Sequence, residues 1–246
     1  MTSGADLARL AAAALGQIRE RRPHIHCLTN SVVQKLTADG LSAIGAVPSM
    51  TSSPDEIVDF TGGADGLLVN LGTLDGDRRD VIGTAVRVMN GNGRPWVLDP
   101  VLCHVSPLRR DFAQDLLAKA PTVLRGNAAE VAVLQASADC VTIETGKTDR
   151  IARDGQNLHL ANGHPWMPMV TGTGCLSGAI VAAFLAVETD PLLASAAAML
   201  AFDVAGEMAA THARGPGSFE PALLDALSLL NETDLLTRVR LQNDEG

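Results

Sequence analysis

An α/β fold, a central mostly parallel sheet with helices on both faces, is predicted by three features of the sequence. Short apolar runs recur along the first 145 residues, each ending in polar or turn residues. Longer amphipathic stretches separate them. Strand and helix repeated in this order imply right-handed crossovers, and hence parallel pairing with helices packed on the two faces.

The strands are expected at residues 24–29 (HIHCLT), 66–70 (GLLVN), 95–100 (PWVLDP), 122–127 (TVLRGN) and 140–145 (CVTIET). Between them the periodicity predicts helices over 34–44, 54–60, 77–89, 108–119 and 128–136. After residue 145 the pattern changes. Residues 149–153 and 156–160 flank Asp154-Gly155 and read as a small hairpin. Alanine-rich helices follow at 175–187, 191–212 and 221–230, with Asp190-Pro191 and Arg214-Gly-Pro-Gly marking their ends. No linker, charge block or repeat divides the chain, so residues 1–246 are expected to form one domain, and 46% apolar content is ample for its core.

Composition narrows the function classes. A net charge of −9 and a pI near 5.0 argue against sequence-independent nucleic-acid binding, which needs a basic face to displace counterions. Five phenylalanines, two tryptophans and no tyrosine offer no stacking platform for single strands. Cys27, Cys103, Cys140 and Cys175 lie far apart, which suits reduced thiols in a cytoplasm better than a disulfide framework or a zinc ribbon. The apolar stretch at 10–15 is too short, and too quickly followed by Arg19-Glu-Arg-Arg, for a signal peptide or membrane span.

Ligands of open parallel sheets bind beyond the carboxyl ends of the strands. One such end carries Asp99; another carries Arg125-Gly-Asn127 and leads to Glu130, three residues beyond Asn127 on the same helical face. Asp99 and Glu130 together would hold a hydrated Mg²⁺ through water, with Arg125 neutralising the phosphates it carries. Each acid alone reads equally well as a turn residue or an acid at a helix N-terminus. In VTGTGCLSGAI (170–180), Gly172 and Gly174 leave backbone N–H groups open at a helix start, an anion hole suited to a transferring phosphoryl group. Cys175 at that helix start is expected to have a lowered pKa and to accept a proton from an attacking hydroxyl. A small apolar residue packed under the loop is the other reading. The string GKT at 146–148 imitates a Walker A loop, but Val141 stands where the first glycine is required.

Taken in order, HCLTN, VPSM, LLVNLGTL, VLDPV, LRGNAAEV, VTGTGC and GPGSF resemble hydroxyethylthiazole kinase of thiamine salvage, over about residues 23–230. The resemblance implies a ribokinase-like fold, ATP as donor, Mg²⁺ as the metal, and phosphoryl transfer to the primary hydroxyl of a thiazole alcohol. It implies Cys175 in the place of the aspartate base of the wider superfamily. By motif it assigns Met50, Gly172 and Asn30 to the thiazole, Arg125, Thr145 and Asn127 to the nucleotide, and a homotrimer with active sites between subunits. Three segments depart from the family pattern: the short crossover at 135–139, the bulkier loop at 102–107 with Cys103 and His104, and Lys147 where an acid is common. Another ribokinase-like kinase, or a non-catalytic thiazole- or nucleotide-binding relative, stands beside this reading. His24 and His26 alternate on one strand, and simple packing is the expectation for them.

Overall fold

The computed structural model of the protein describes residues 2–242. The expected alternation appears as six parallel strands, β1 (His24–Leu28), β2 (Val47–Ser49), β3 (Gly66–Asn70), β4 (Trp96–Asp99), β5 (Val123–Asn127) and β6 (Val141–Thr145), in the spatial order β2-β1-β3-β4-β5-β6. The sheet continues antiparallel through β7 (Asp149–Arg153), β8 (Gln156–Leu160) and β9 (Leu241–Gln242). The hairpin is therefore where the sequence places it, and it extends the main sheet.

Because side chains alternate along a strand, each central strand feeds two cores. Leu67, Val69, Trp96, Leu98 and Leu124 enter one core, with residues of α4 (Gly76–Gly91) and α5 (Pro107–Leu117). Leu68, Val97, Val123 and Ile143 enter the other, with α1 (Gly4–Arg21), α2 (Gln34–Ala43), α7 (Thr173–Leu185) and α8 (Pro191–His212). Helix α8 has the length and hydropathy of a membrane span, but 83% of its most apolar window is buried inside the protein. It packs against α7, α1 and α9 (Pro216–Leu229), so its all-round apolar surface belongs to a core helix.

Several elements differ from the sequence reading. Helix α1 was not anticipated, although buried Leu7, Ala8, Ala11, Ala14, Leu15 and Ile18 fall at helical spacing and Ser3 caps its start by accepting from Asp6 N. Strand β2 has three residues, too few to show alternation. Helix α3 (Ile57–Gly62) starts three residues later than expected, and α9 starts five earlier, with Pro216 in its first turn. The return from β5 to β6 is not the helix expected at 128–136. It is one turn, α6 (Ala128–Val131), followed by irregular chain to Cys140, whose N–H bonds to Ser137 O. The last elements, α10 (Glu232–Arg238) and β9, carry the chain back to the sheet edge beside β8.

Two glycines set how closely α7 lies on the sheet. A Cβ on Gly66 would stand 2.7 Å from the carbonyl oxygen of Ala182, and one on Gly178 would meet Leu68 Cδ1 at 3.1 Å. The first contact is with backbone and cannot be relieved by a rotamer. Gly66→Ala is therefore expected to lower stability by about 1–3 kcal/mol, the usual cost of overpacking a core. A reduced urea midpoint at unchanged slope would be the signature.

Candidate active site

The same parity that divides the cores builds the site. Two residues beyond Leu68, Val97, Val123 and Ile143 stand Asn70, Asp99, Arg125 and Thr145, which consequently face α7 at the carboxyl ends of their strands. Asn70 pairs in register with Asp99, and Asn127 with Thr145. The spatial order also reverses direction between β1 and β3, the switch point at which open α/β sheets bind ligands.

The N-terminus of α7 closes this end. Gly172 is its N-cap with φ of 101°, a conformation that favours glycine, and a Cβ there would lie 2.9 Å from Val33 Cγ1. Thr173 Oγ1 ties the loop down by donating to the carbonyls of Met167 and Val170. The amides of Gly174 and Cys175 fall in the first turn, with no carbonyl one turn earlier in the helix to receive them. A Cβ on Gly174 would stand 3.1 Å from Arg125 Nη1, so the guanidinium lies directly against the glycine turn. The turn expected to form an anion hole at Gly172 and Gly174 thus has a cation from β5 beside it.

Beside it opens a cleft of about 660 Å³ lined by Arg125, Asn127, Thr145, Lys147, Gly174 and Asp203, among others. The three residues expected to contact nucleotide share this cleft with Gly174. Met50, Asn30 and Gly172 do not line it. Asn30 follows β1 and Met50 follows β2, so the residues expected to contact the alcohol sit at the ends of the adjacent strand pair, across the α7 N-terminus from the cleft. Cys175 stands between the two sides.

Its sulfur is half-buried and accepts from Asn70 Nδ2 at 3.2 Å and from Asn30 Nδ2 at 3.7 Å. The expectation of a lowered pKa is corrected here. Burial pushes the thiol up to about 11, the nearby charge of Asp99 adds to the rise, and Arg125 and the two asparagines oppose it.

Asp99 and Glu130 lie near enough for their charges to interact, with Glu130 packed against Gly126, but neither lines the cleft. Asp99 is buried. Its Oδ2 accepts from Asn70 Nδ2 at 2.9 Å and lies 3.8 Å from Arg125 Nη1. Burial raises its pKa, Arg125 lowers it, and Glu130 raises it further. Glu130 Oε1 accepts from Leu102 N at 2.7 Å and Oε2 from Asn127 N at 2.9 Å, while Asn127 Oδ1 accepts from Glu130 N. Asn127 and Glu130 thus form a capping box, and Glu130 also holds the 102–107 loop. His104 is exposed in that loop and Cys103 is buried beneath it, donating toward Glu130 O. Among the described residues no three His, Cys, Asp or Glu side chains converge as a metal cage.

Three contributors escaped the sequence reading. Asn70 was present only as the last letter of a buried strand. Arg78, on α4, donates to Thr29 O at 2.9 Å and to Asn70 O at 3.2 Å, pinning the tips of β1 and β3 together. Asp203 on α8 lines the cleft and is hydrogen-bonded to Asp149 of β7, which also accepts from Gly146 N at 2.9 Å. Burial and the charge of Asp149 push the Asp203 pKa well above its ordinary value, and burial raises Asp149 as well. His26, in turn, is a packing residue. Its ring joins Ser49 Oγ at 2.8 Å and Thr51 O at 3.0 Å, and burial lowers its pKa to about 4. His24 is exposed at the strand start.

The family model described as the hydroxyethylthiazole kinase family matches residues 15–138 and 133–233. A probable hydroxyethylthiazole kinase of Agrobacterium fabrum is 49% identical over 246 residues, covering 100% of both chains. The hydroxyethylthiazole kinase of Serratia proteamaculans is 41% identical over 251 residues, covering 92% of this chain and 95% of the other. The solved hydroxyethylthiazole kinase of Pyrococcus horikoshii superposes with a TM-score of 0.91 at 33% identity, over 95% of this chain and 98% of that one. Staphylococcus aureus pyridoxal kinase, solved with AMP-PCP and pyridoxal, shares the fold at a TM-score of 0.57 and 16% identity, over 74% and 87% of the two chains.

The acid pair gives a pH signature. A carboxyl whose folded pKa lies above its unfolded value binds more protons when folded, so stability falls as pH rises from the unfolded pKa through the folded one. Asp203→Asn keeps a donor toward Asp149 and removes that penalty. It is expected to raise Tm at pH 8 by about 2–4 °C, the shift that ~1 kcal/mol produces in a chain of this size. The gain should vanish near pH 4, where thermal melts of the two proteins should coincide.

Proposed function

The chain belongs to the hydroxyethylthiazole kinase family, and from that premise we propose that its ribokinase-like scaffold transfers the γ-phosphoryl group of ATP to the primary hydroxyl of hydroxyethylthiazole, a step of thiamine salvage. The observation that carries the assignment of roles is the Arg125 guanidinium lying on Gly174, which joins the cleft to the α7 N-terminus. ATP occupies the cleft, with Arg125, Asn127 and Thr145 along its phosphates. The terminal phosphate meets the amides of Gly174 and Cys175 and the positive end of α7. The alcohol lies on the other side, against Asn30, Met50 and Gly172, with its hydroxyl toward Cys175.

Phosphoryl transfer of this kind passes through a loose transition state, so positioning and charge neutralisation supply most of the rate. That suits the site. A thiol held near 11 is protonated at neutral pH and only its small thiolate fraction can take a proton, so the sulfur acts chiefly by orienting the hydroxyl, whose proton passes to that thiolate as the new P–O bond forms. The amides of the α7 turn stabilise the charge on the equatorial oxygens.

Mg²⁺ belongs to the same proposal. Two buried carboxylates lie near each other and only Asp99 is paired with a guanidinium, an excess of negative charge that a divalent cation on the phosphates would relieve. Asp99 and Glu130 would hold it through water, in keeping with the absence of a protein cage among the described residues. When bound it would neutralise phosphate charge. A homotrimer with sites between subunits is proposed on the family resemblance, and β2, which carries the chain to Met50, is free for it at the sheet edge. A cytoplasmic setting is in keeping with four free cysteines.

A coupled ADP-release assay over a panel of small alcohols tests the function. Turnover of hydroxyethylthiazole well above every other alcohol is expected; binding of the thiazole by calorimetry without turnover would instead identify a sensor. Arg125→Met is expected to raise KM for ATP by about 10–100-fold, in line with the ~1.5–3 kcal/mol of a charge-assisted hydrogen bond. Asp99→Asn should shift the Mg²⁺ dependence to about tenfold higher concentration, the effect of ~1.4 kcal/mol, as read from metal titrations of activity.

A further inference from the structure

The carboxamide of Asn70 is completely buried, and each of its hydrogen-bonding positions is committed. Its oxygen accepts from Gly72 N at 3.0 Å and from Asn30 Nδ2 at 3.4 Å. Its nitrogen donates to Asp99 Oδ2 at 2.9 Å and to Cys175 Sγ at 3.2 Å. The orientation is not interchangeable. The Gly72 N–H can meet only an oxygen, so the amide hydrogens are forced toward Asp99 and the sulfur.

The surroundings enforce the same geometry. A Cβ on Gly72 would stand 2.9 Å from atoms of both Asn30 and Asn70, so glycine is required for the loop to close over the amide. Arg78 fixes the Asn70 carbonyl from below. The result is a donor wedged between two acceptors. Without it, the charge of Asp99 would act on Cys175 with no amide donor between them. The sulfur would lose the donor that favours its proton-accepting form beside the Asp99 charge.

We infer that Asn70 is a positioning residue for phosphoryl transfer: its two amide hydrogens, divided between Asp99 and Cys175, keep the sulfur an acceptor aimed at the attacking hydroxyl. This rests on the role of Cys175 proposed above and extends it to a residue with no contact to either substrate. Asn30 Nδ2, at 3.7 Å from the same sulfur, is a weaker second donor.

A double-mutant cycle separates this from a structural role. Steady-state kinetics would be measured for the full-length protein, Asn70→Ala, Cys175→Ala and the double variant, with thermal melts to confirm folding. Asn70→Ser, smaller but still a donor, replaces the alanine variant in the cycle if that one does not fold. Each single substitution is expected to lower kcat by about 10–100-fold, at or below the low end of the ~10²–10⁴-fold that a well-matched proton acceptor supplies, as suits a sulfur that is mostly protonated. KM for ATP should stay within about twofold, since the α7 amides and Arg125 are untouched. The double variant should be no slower than Cys175→Ala, because Asn70 acts through the sulfur. Losses that multiply in the double variant would overturn the inference while leaving Cys175 in its role. Undiminished kcat in Cys175→Ala would overturn the role of the thiol, and with it that of Asn70.

Discussion

Helix α7 lies on β3 at backbone contact distance, and the catalytic end of the molecule follows from that approach. Gly66 removes the side chain that would push against Ala182, and Gly178 lets Leu68 settle against the helix. A helix held this close delivers its first-turn amides to the strand tips without an intervening layer of side chains. Side-chain alternation then supplies partners: each strand that sends an apolar residue into the α7 core sends its residue two positions later toward the α7 N-terminus. Asn70, Asp99, Arg125 and Thr145 are selected by this geometry as much as by their chemistry.

The electrostatics of the site are unbalanced as built. Asp149 and Asp203 line a cleft in which Arg125 is the deeply placed cation, with Asp99 beside that guanidinium and Glu130 near Asp99, while Lys147 is exposed at the β6–β7 turn. Burial raises Asp99, Asp149, Asp203 and Cys175 alike, so the pocket resists accumulating charge. A site of this kind gains by orienting its reactants and by meeting developing charge, and a strong base adds little to it. The thiol fits that economy. In the proposed mechanism it presents a polarisable acceptor to the hydroxyl without adding another carboxylate beside Asp99.

Much of this was legible in the sequence. The β-α alternation fixed the parallel sheet, and the polar residues ending each apolar run marked its carboxyl edge. The double glycine before a helix marked the turn whose amides the proposed phosphate site uses. What escaped was set by three-dimensional neighbours. Asn70 could not be told from any strand-ending asparagine until its register with Asp99 was known. Arg78 follows an ordinary cap at Asp75, and only the fold reveals that its guanidinium spans two strand tips. Asp203 sits mid-helix in an apolar run, where a lone acid is the signal of burial, yet its partner lies on a strand far away in sequence. The expected drop in the Cys175 pKa failed for the same reason: a helix start favours the thiolate, but the degree of enclosure decides, and enclosure is not written in local sequence. The crossover after Glu130 was misjudged because irregular chain can return to a parallel strand as well as a helix can.

The central claim is spatial: the α7 turn and Arg125 receive the terminal phosphate, and Cys175 faces the alcohol from the opposite side. A crystal structure of the protein with a non-hydrolysable ATP analogue and the thiazole alcohol tests it most directly. The account predicts the terminal phosphate within hydrogen-bonding distance of the Gly174 and Cys175 amides and of the Arg125 guanidinium, with the alcohol oxygen in line between phosphorus and sulfur. A terminal phosphate at the mouth of the cleft beside Lys147, or an alcohol lying on the nucleotide side of α7, would contradict it.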